Sequence, residues 1–164
     1  MIRTFFLLAL LAPLPAGSAA AQQPGERVPT VTMASVGKVR VQPGGTAKVE
    51  LDFRIENDFH INSNHPKSEV LIPTALRFIS SEPIKVLKVN YPPGQDVAFP
   101  FAPDEKLSVY SGDFAITATV QAPPKASGGT YPVVGELRFQ ACDRSACYPP
   151  RSIPVKFDVS VISR

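Results

Sequence analysis

The chain has two cysteines, Cys142 and Cys147, separated by Asp143-Arg144-Ser145-Ala146. In an exported protein an unpaired thiol is a liability, so two cysteines and no third argue for one intramolecular disulfide. A staple between the two layers of a sandwich would join cysteines far apart in sequence and usually pack on a tryptophan. Here only four residues intervene and tryptophan is absent. The short spacer suits a hairpin loop that makes the two cysteines cross-strand neighbours. Closing so small a ring is worth only about 2 kcal/mol, a weak motive if stability were the purpose. Alternation places Cys142 in phase with Glu136, Arg138 and Gln140, which predicts an outward, reachable sulfur. Arg144 favours a thiolate and Asp143 opposes it, so local charge does not decide reactivity. On these residues alone, reversible redox exchange, a passive staple and metal binding all stand.

The other candidate ligands are His60 and His65, whose spacing is zinc-like and which could join the cysteines in a two-Cys, two-His site. Oxidation of the thiols would remove the best ligands, so no metal and no other cofactor is expected. His60 has a second possible role, because an imidazole near a disulfide can help an attacking or leaving thiolate. No Ser/His/Asp arrangement, phosphate-cradling glycine loop or paired carboxylate motif stands out, which disfavours hydrolase and nucleotide chemistry. The formal charge of +3 is scattered without a basic block, so nucleic acid is not an expected partner.

These residues must be positioned by strands. Lys48 to Glu56 alternates charged and apolar residues without a fault, the period-two pattern of a half-buried strand. The same alternation recurs through Phe114 to Val120, Leu137 to Ala141 and Ile153 to Val161. Further strands are expected at Lys38 to Val41, His60 to Asn62, Ala75 to Ile79 and Ile84 to Val89. Turn residues such as Pro43-Gly44-Gly45, Asn57-Asp58 and Pro123-Pro124 punctuate them. Short strands at this spacing predict an all-β, two-sheet antiparallel sandwich.

The N-terminus reads differently. Arg3, the apolar run Phe5 to Ala12 and the small residues Ala19-Ala20-Ala21 have the layout of a cleaved secretory signal over residues 1–21. The run is too short to span a bilayer, which needs about 20 apolar residues. A polar leader is expected at 22–29 and one domain at 30–164, with no stable membrane insertion.

A resemblance narrows the alternatives. The segment from Phe139 to Pro150, with its aromatic-x-x-Cys start and its Cys147-Tyr148-Pro149-Pro150 end, resembles the active-site hairpin of the N-terminal domain family of the thiol:disulfide interchange protein DsbD. Phe59-His60-Ile61-Asn62-Ser63-Asn64, Leu71-Ile72-Pro73-Thr74 and Val109-Tyr110-Ser111-Gly112 fit it in order and spacing. The resemblance covers most of the chain beyond the leader. It implies an immunoglobulin-like antiparallel β-sandwich in the periplasm and a part in protein-disulfide reduction. Electrons would come from a thioredoxin-like or membrane-linked donor and pass to oxidised periplasmic proteins through Cys142 and Cys147. It assigns the intermolecular attack to Cys147 and places His60, Asn62, Val109, Tyr110 and Tyr148 around the sulfurs, with Val109 and Tyr110 as the expected cover. With no further domain expected, the donor would be a separate protein. The competing reading is a non-catalytic envelope binding or chaperone-like module with an inert structural disulfide.

Overall fold

The computed structural model describes residues 29–162 and is built from twelve strands with no helix. The expected signal at 1–21 and all but the last residue of the leader at 22–29 lie outside the described residues. Among the described residues no helix is long and apolar enough to cross a membrane.

Three four-stranded sheets form. The first runs β1 (Val31–Met33), β3 (Thr46–Ile55), β9 (Asp113–Gln121), β6 (Lys85–Asn90), and the second β2 (Val39–Val41), β12 (Arg151–Val161), β10 (Gly129–Phe139), β5 (Ala75–Ser80). Between them lies one core, to which β3 gives Val49, Leu51, Phe53 and Ile55, and β12 gives Val155, Phe157, Val159 and Val161. The charged partners of these residues along each strand stay in solvent, as the alternation predicts. Burying a Leu or Phe of this kind contributes about 1.5–3 kcal/mol.

The all-β sandwich is therefore present, with two additions. One pairing, β2 with β12, is parallel. A third sheet also forms, in the order β11 (Ala141–Cys142), β4 (His60–Asn62), β8 (Ala102–Ser111), β7 (Gln95–Phe99). Strands β1, β7 and β8 lack a clean sequence signal: β8 carries Pro103-Asp104-Glu105-Lys106 near its start, and β7 follows Pro92-Pro93-Gly94.

The third sheet is assembled from extensions of the other two. Asp58, at a left-handed φ of 72°, closes the turn between β3 and β4, a conformation that Asp tolerates. Gly112, at φ 63°, returns the chain from β8 to β9 in the first sheet. Gln140 is the single residue between β10 in the second sheet and β11 in the third.

Pro132 and Pro154 lie inside β10 and β12, where proline would normally interrupt a ladder. Each sits where its strand has a neighbour on one side only, since β5 begins opposite Val134 and β2 opposite Val159. At Gly135, beside an irregularity in the β10–β5 register, an added Cβ would lie 2.5 Å from the carbonyl oxygen of Arg77. Any larger residue there would push the two strands apart.

Candidate functional site

Cys142 and Cys147 form a disulfide across the end of a hairpin, with Sγ–Sγ 2.02 Å and Cα–Cα 3.9 Å. Asp143 N donates to Ala146 O at 2.9 Å, and Tyr148 N donates to Ala141 O at 2.8 Å, so the loop begins and ends in backbone pairing. The Asp143 carboxylate completes it. Its Oδ1 accepts from the Ser145 and Ala146 amides at 2.6 and 2.9 Å, and its Oδ2 accepts from the Tyr148 hydroxyl at 2.7 Å. Those bonds stabilise the anion and hold the Asp143 pKa below its usual value. The Tyr148 ring meets Phe59 edge to face at 5.8 Å, which fixes the strand after the disulfide against the entry to β4.

The two cysteines differ in exposure. Cys142 is fully buried, whereas Cys147 is half-buried and followed by exposed Pro149 and Pro150. The outward position expected for Cys142 is thus corrected. Parity counted from Glu136 fails because the chain leaves the second sheet at Gln140 and pairs Ala141 and Cys142 with β4 instead. Both faces of that short pair are covered.

The register of the third sheet assigns its faces. Cys142 lies opposite His60, and His60 opposite Ser111; Ala141 lies opposite Ile61, and Ile61 opposite Tyr110. Directly opposed residues share a face. One face therefore presents Ile61, Ala141 and Tyr110 to the core, and the other carries Cys142, His60, Asn62 and Val109.

Of the residues expected to shape the site, His60, Asn62 and Val109 stand on the cysteine's face. Tyr110 stands on the opposite face, stacked on Phe114 at 5.0 Å with its hydroxyl donating to Asn64 Oδ1 at 2.6 Å. Burial raises the Tyr110 pKa, keeping the phenol neutral. The ring that covers His60 comes from elsewhere. Phe99, at the tip of the β7–β8 hairpin, lies flat on the imidazole at 4.0 Å and 16°, and Phe101 continues the stack at 5.4 Å. Neither phenylalanine is marked by sequence alone, because β7 and β8 are themselves weak signals. Phe99-Pro100-Phe101, a pair of aromatics around a turn residue, is the one hint.

Polar groups on this face are knitted together by a side chain that spacing does not reveal. Gln140 Oε1 accepts from Asn62 Nδ2 at 3.1 Å and from Ile72 N at 3.2 Å, while its Nε2 donates to Tyr148 O at 3.3 Å. Gln140 thereby ties β4, the 63–74 connection and the strand after Cys147 to one point. Burial lowers the His60 pKa to about 4 against the opposing pull of Asp143. The imidazole is neutral at neutral pH. His65 is exposed and bonds to its neighbour Asn64. Among the described residues no three His, Cys, Asp or Glu side chains come together to hold a metal ion.

On this all-β scaffold the fully buried Cys142 is bonded to the half-buried Cys147, at the edge of the small third sheet. The chain belongs to the family of the N-terminal domain of the thiol:disulfide interchange protein DsbD, whose family model matches residues 27–158. Similar solved structures include the reduced N-terminal domain of DsbD from Neisseria meningitidis. That match has 23% identity over 68% of this chain and 75% of that one, with a TM-score of 0.39. Another is the N-terminal periplasmic domain of ScsB from Proteus mirabilis, with 14% identity over 81% of this chain and a TM-score of 0.49. This chain spans 48% of that second structure. No curated protein sequence matches.

Proposed function

We propose that this chain is a periplasmic thiol–disulfide exchange domain, which accepts reducing equivalents from a thioredoxin-like or membrane-linked dithiol and passes them to oxidised envelope proteins. The observation that carries the reading is the unequal exposure of the two bonded cysteines, Cys142 fully buried and Cys147 half-buried beside two exposed prolines. Pro149 and Pro150 are exposed and lack amide donors, so no ladder continues through them, and they offer a surface beside Cys147 for a docking protein. Beside the loop a depression of about 360 Å³, lined by Asp58, Phe59, Asp143, Arg144, Ser145 and Tyr148, offers a further contact surface. Export rests on the leader-like residues 1–21.

In the accepting direction, a partner thiolate attacks Cys147 Sγ, the Cys142–Cys147 bond breaks, and Cys142 leaves as a thiolate. The partner's second thiolate then attacks the partner's first sulfur in the mixed disulfide and releases Cys147 as a thiolate. The partner ends as a disulfide, the domain as a dithiol, and the partner's two thiol protons end on Cys142 and Cys147. Phe99 and the buried face around His60 keep other thiols from Cys142 during the cycle.

Single cysteine variants incubated with a purified thioredoxin that lacks its resolving cysteine and carries its attacking cysteine as a mixed disulfide with an aromatic thiol, which is the leaving group, test the assignment. Cys142→Ala leaves the reachable thiol and is expected to trap a covalent complex on a non-reducing gel, while Cys147→Ala traps none. The reverse pattern exchanges the roles. Absence of a complex from both variants supports the inert-disulfide module instead.

A further inference from the structure

In the disulfide state the face around Cys142 holds an imbalance. His60 is only 4% exposed, yet its Nε2 is buried without a hydrogen-bond partner. Leaving such an atom unpaired carries roughly a five- to hundredfold penalty in an equilibrium constant, and buried polar groups in folded proteins are seldom left so. His60 is also the direct cross-strand neighbour of Cys142, and side chains so opposed have Cβ atoms about 4.5–5.5 Å apart. The flat contact with Phe99 covers one face of the ring and leaves its in-plane polar edge to meet a partner on the strand.

Cys142 is the group on this face whose chemistry changes with redox state. In the disulfide its sulfur is bonded to Cys147 and carries no hydrogen; in the dithiol it becomes an S–H donor or a thiolate acceptor. We propose that His60 is a positioning residue that hydrogen-bonds the Cys142 sulfur only in the dithiol state, and so draws the disulfide–dithiol equilibrium toward the dithiol. The inference rests on the reading that this disulfide cycles. A neutral imidazole serves both forms of the sulfur, accepting from a thiol through its lone pair or donating its N–H to a thiolate. Burial keeps it neutral, and Asp143 is the charged group that opposes this. Both protons of reduction come from the reductant's thiols, so His60 supplies a hydrogen bond and no net proton.

His60→Phe tests this, because it keeps a flat ring against Phe99 and removes the polar edge. The full chain is equilibrated with reduced and oxidised glutathione and the dithiol fraction is measured. His60→Phe is expected to move the equilibrium about tenfold toward the disulfide, a potential about 30 mV more negative. His60→Gln, which restores a donor and an acceptor, should recover part of the shift. Melting of each redox form supplies the second readout. Oxidised His60→Phe should be at least as stable as the oxidised parent, and reduced His60→Phe less stable than the reduced parent. An unchanged glutathione equilibrium, or equal destabilisation of both forms, overturns the proposal.

Nitrogen chemical shifts in the unaltered chain give a test that needs no variant. The His60 Nε2 resonance should move on reduction while those of His65 stay, and a stationary His60 resonance overturns the proposal. Glutathione equilibrium involves no partner protein, so this inference and the carrier reading fail separately. The carrier reading falls when neither cysteine variant traps thioredoxin, and this one when His60→Phe leaves the equilibrium where it was.

Discussion

The first two sheets and the third are built on different terms. Between the large sheets the buried side chains are apolar and the long strands alternate in and out, as along β12 from Pro154 to Val159, where exposed and buried residues take turns. Among the described residues, the buried polar side chains are His60, Asn62, Ser63, Thr74 and Ser108, and all of them lie in the third sheet or bond to it. The two buried side-chain atoms without a partner, His60 Nε2 and Asn62 Oδ1, are both on β4. A dry apolar core is tolerant and strong, whereas a buried polar face is sensitive to a single proton or hydrogen bond. The contrast places the apolar burial that stabilises the fold in the sandwich, and the buried polar groups beside Cys142 in the small sheet attached to it.

The sharpest way to break that contrast is to damage the sandwich. Leu51→Ala removes a fully buried side chain facing the core, and unfolding in urea should show a loss of about 2–5 kcal/mol. A loss below 1 kcal/mol would mean the sandwich core is not where stability resides.

Acid should act on the other region. The His60 imidazole titrates near 6.5 when unfolded and near 4 when folded. Between those values the unfolded chain binds more protons, so stability is present above about pH 6.5 and is lost as pH falls toward 4. The loss is on the order of 3 kcal/mol. Urea titrations at several pH values should show this slope in the parent and a flatter one in His60→Phe. The Asp143 carboxylate, whose pKa is lowered, loses its contribution only below its ordinary carboxylate range.

Reduction should cost less again. A six-residue ring gives about 2 kcal/mol on the chain-entropy model, so the reduced chain should still unfold cooperatively, with its core amides protected from exchange. Loss of cooperative unfolding on reduction would make the disulfide structural. The smallest effect is expected from Asp143→Ala, about 1–2 kcal/mol from the bonds to Ser145, Ala146 and Tyr148. Its clearer signature is faster amide exchange at Ser145 and Ala146, with exchange in β3 and β12 unchanged.

Local pattern was enough for several parts of this molecule. Lys48 to Glu56, Phe114 to Val120 and Ile153 to Val161 announce β3, β9 and β12 because each strand packs one face on one core, and alternation records that condition directly. The hairpin disulfide was equally legible, since a four-residue spacer leaves little other geometry for two paired cysteines. Tertiary structure alone decided the surroundings of Cys142. Its burial follows from the change of sheet at Gln140, and parity cannot be carried across a residue where the pairing partner changes. β4 is buried along both faces, so His60, Ile61 and Asn62 show no alternation to read. The placement of Phe99 on His60 joins residues 39 apart through two weakly marked strands, an outcome of long-range pairing that no local period encodes.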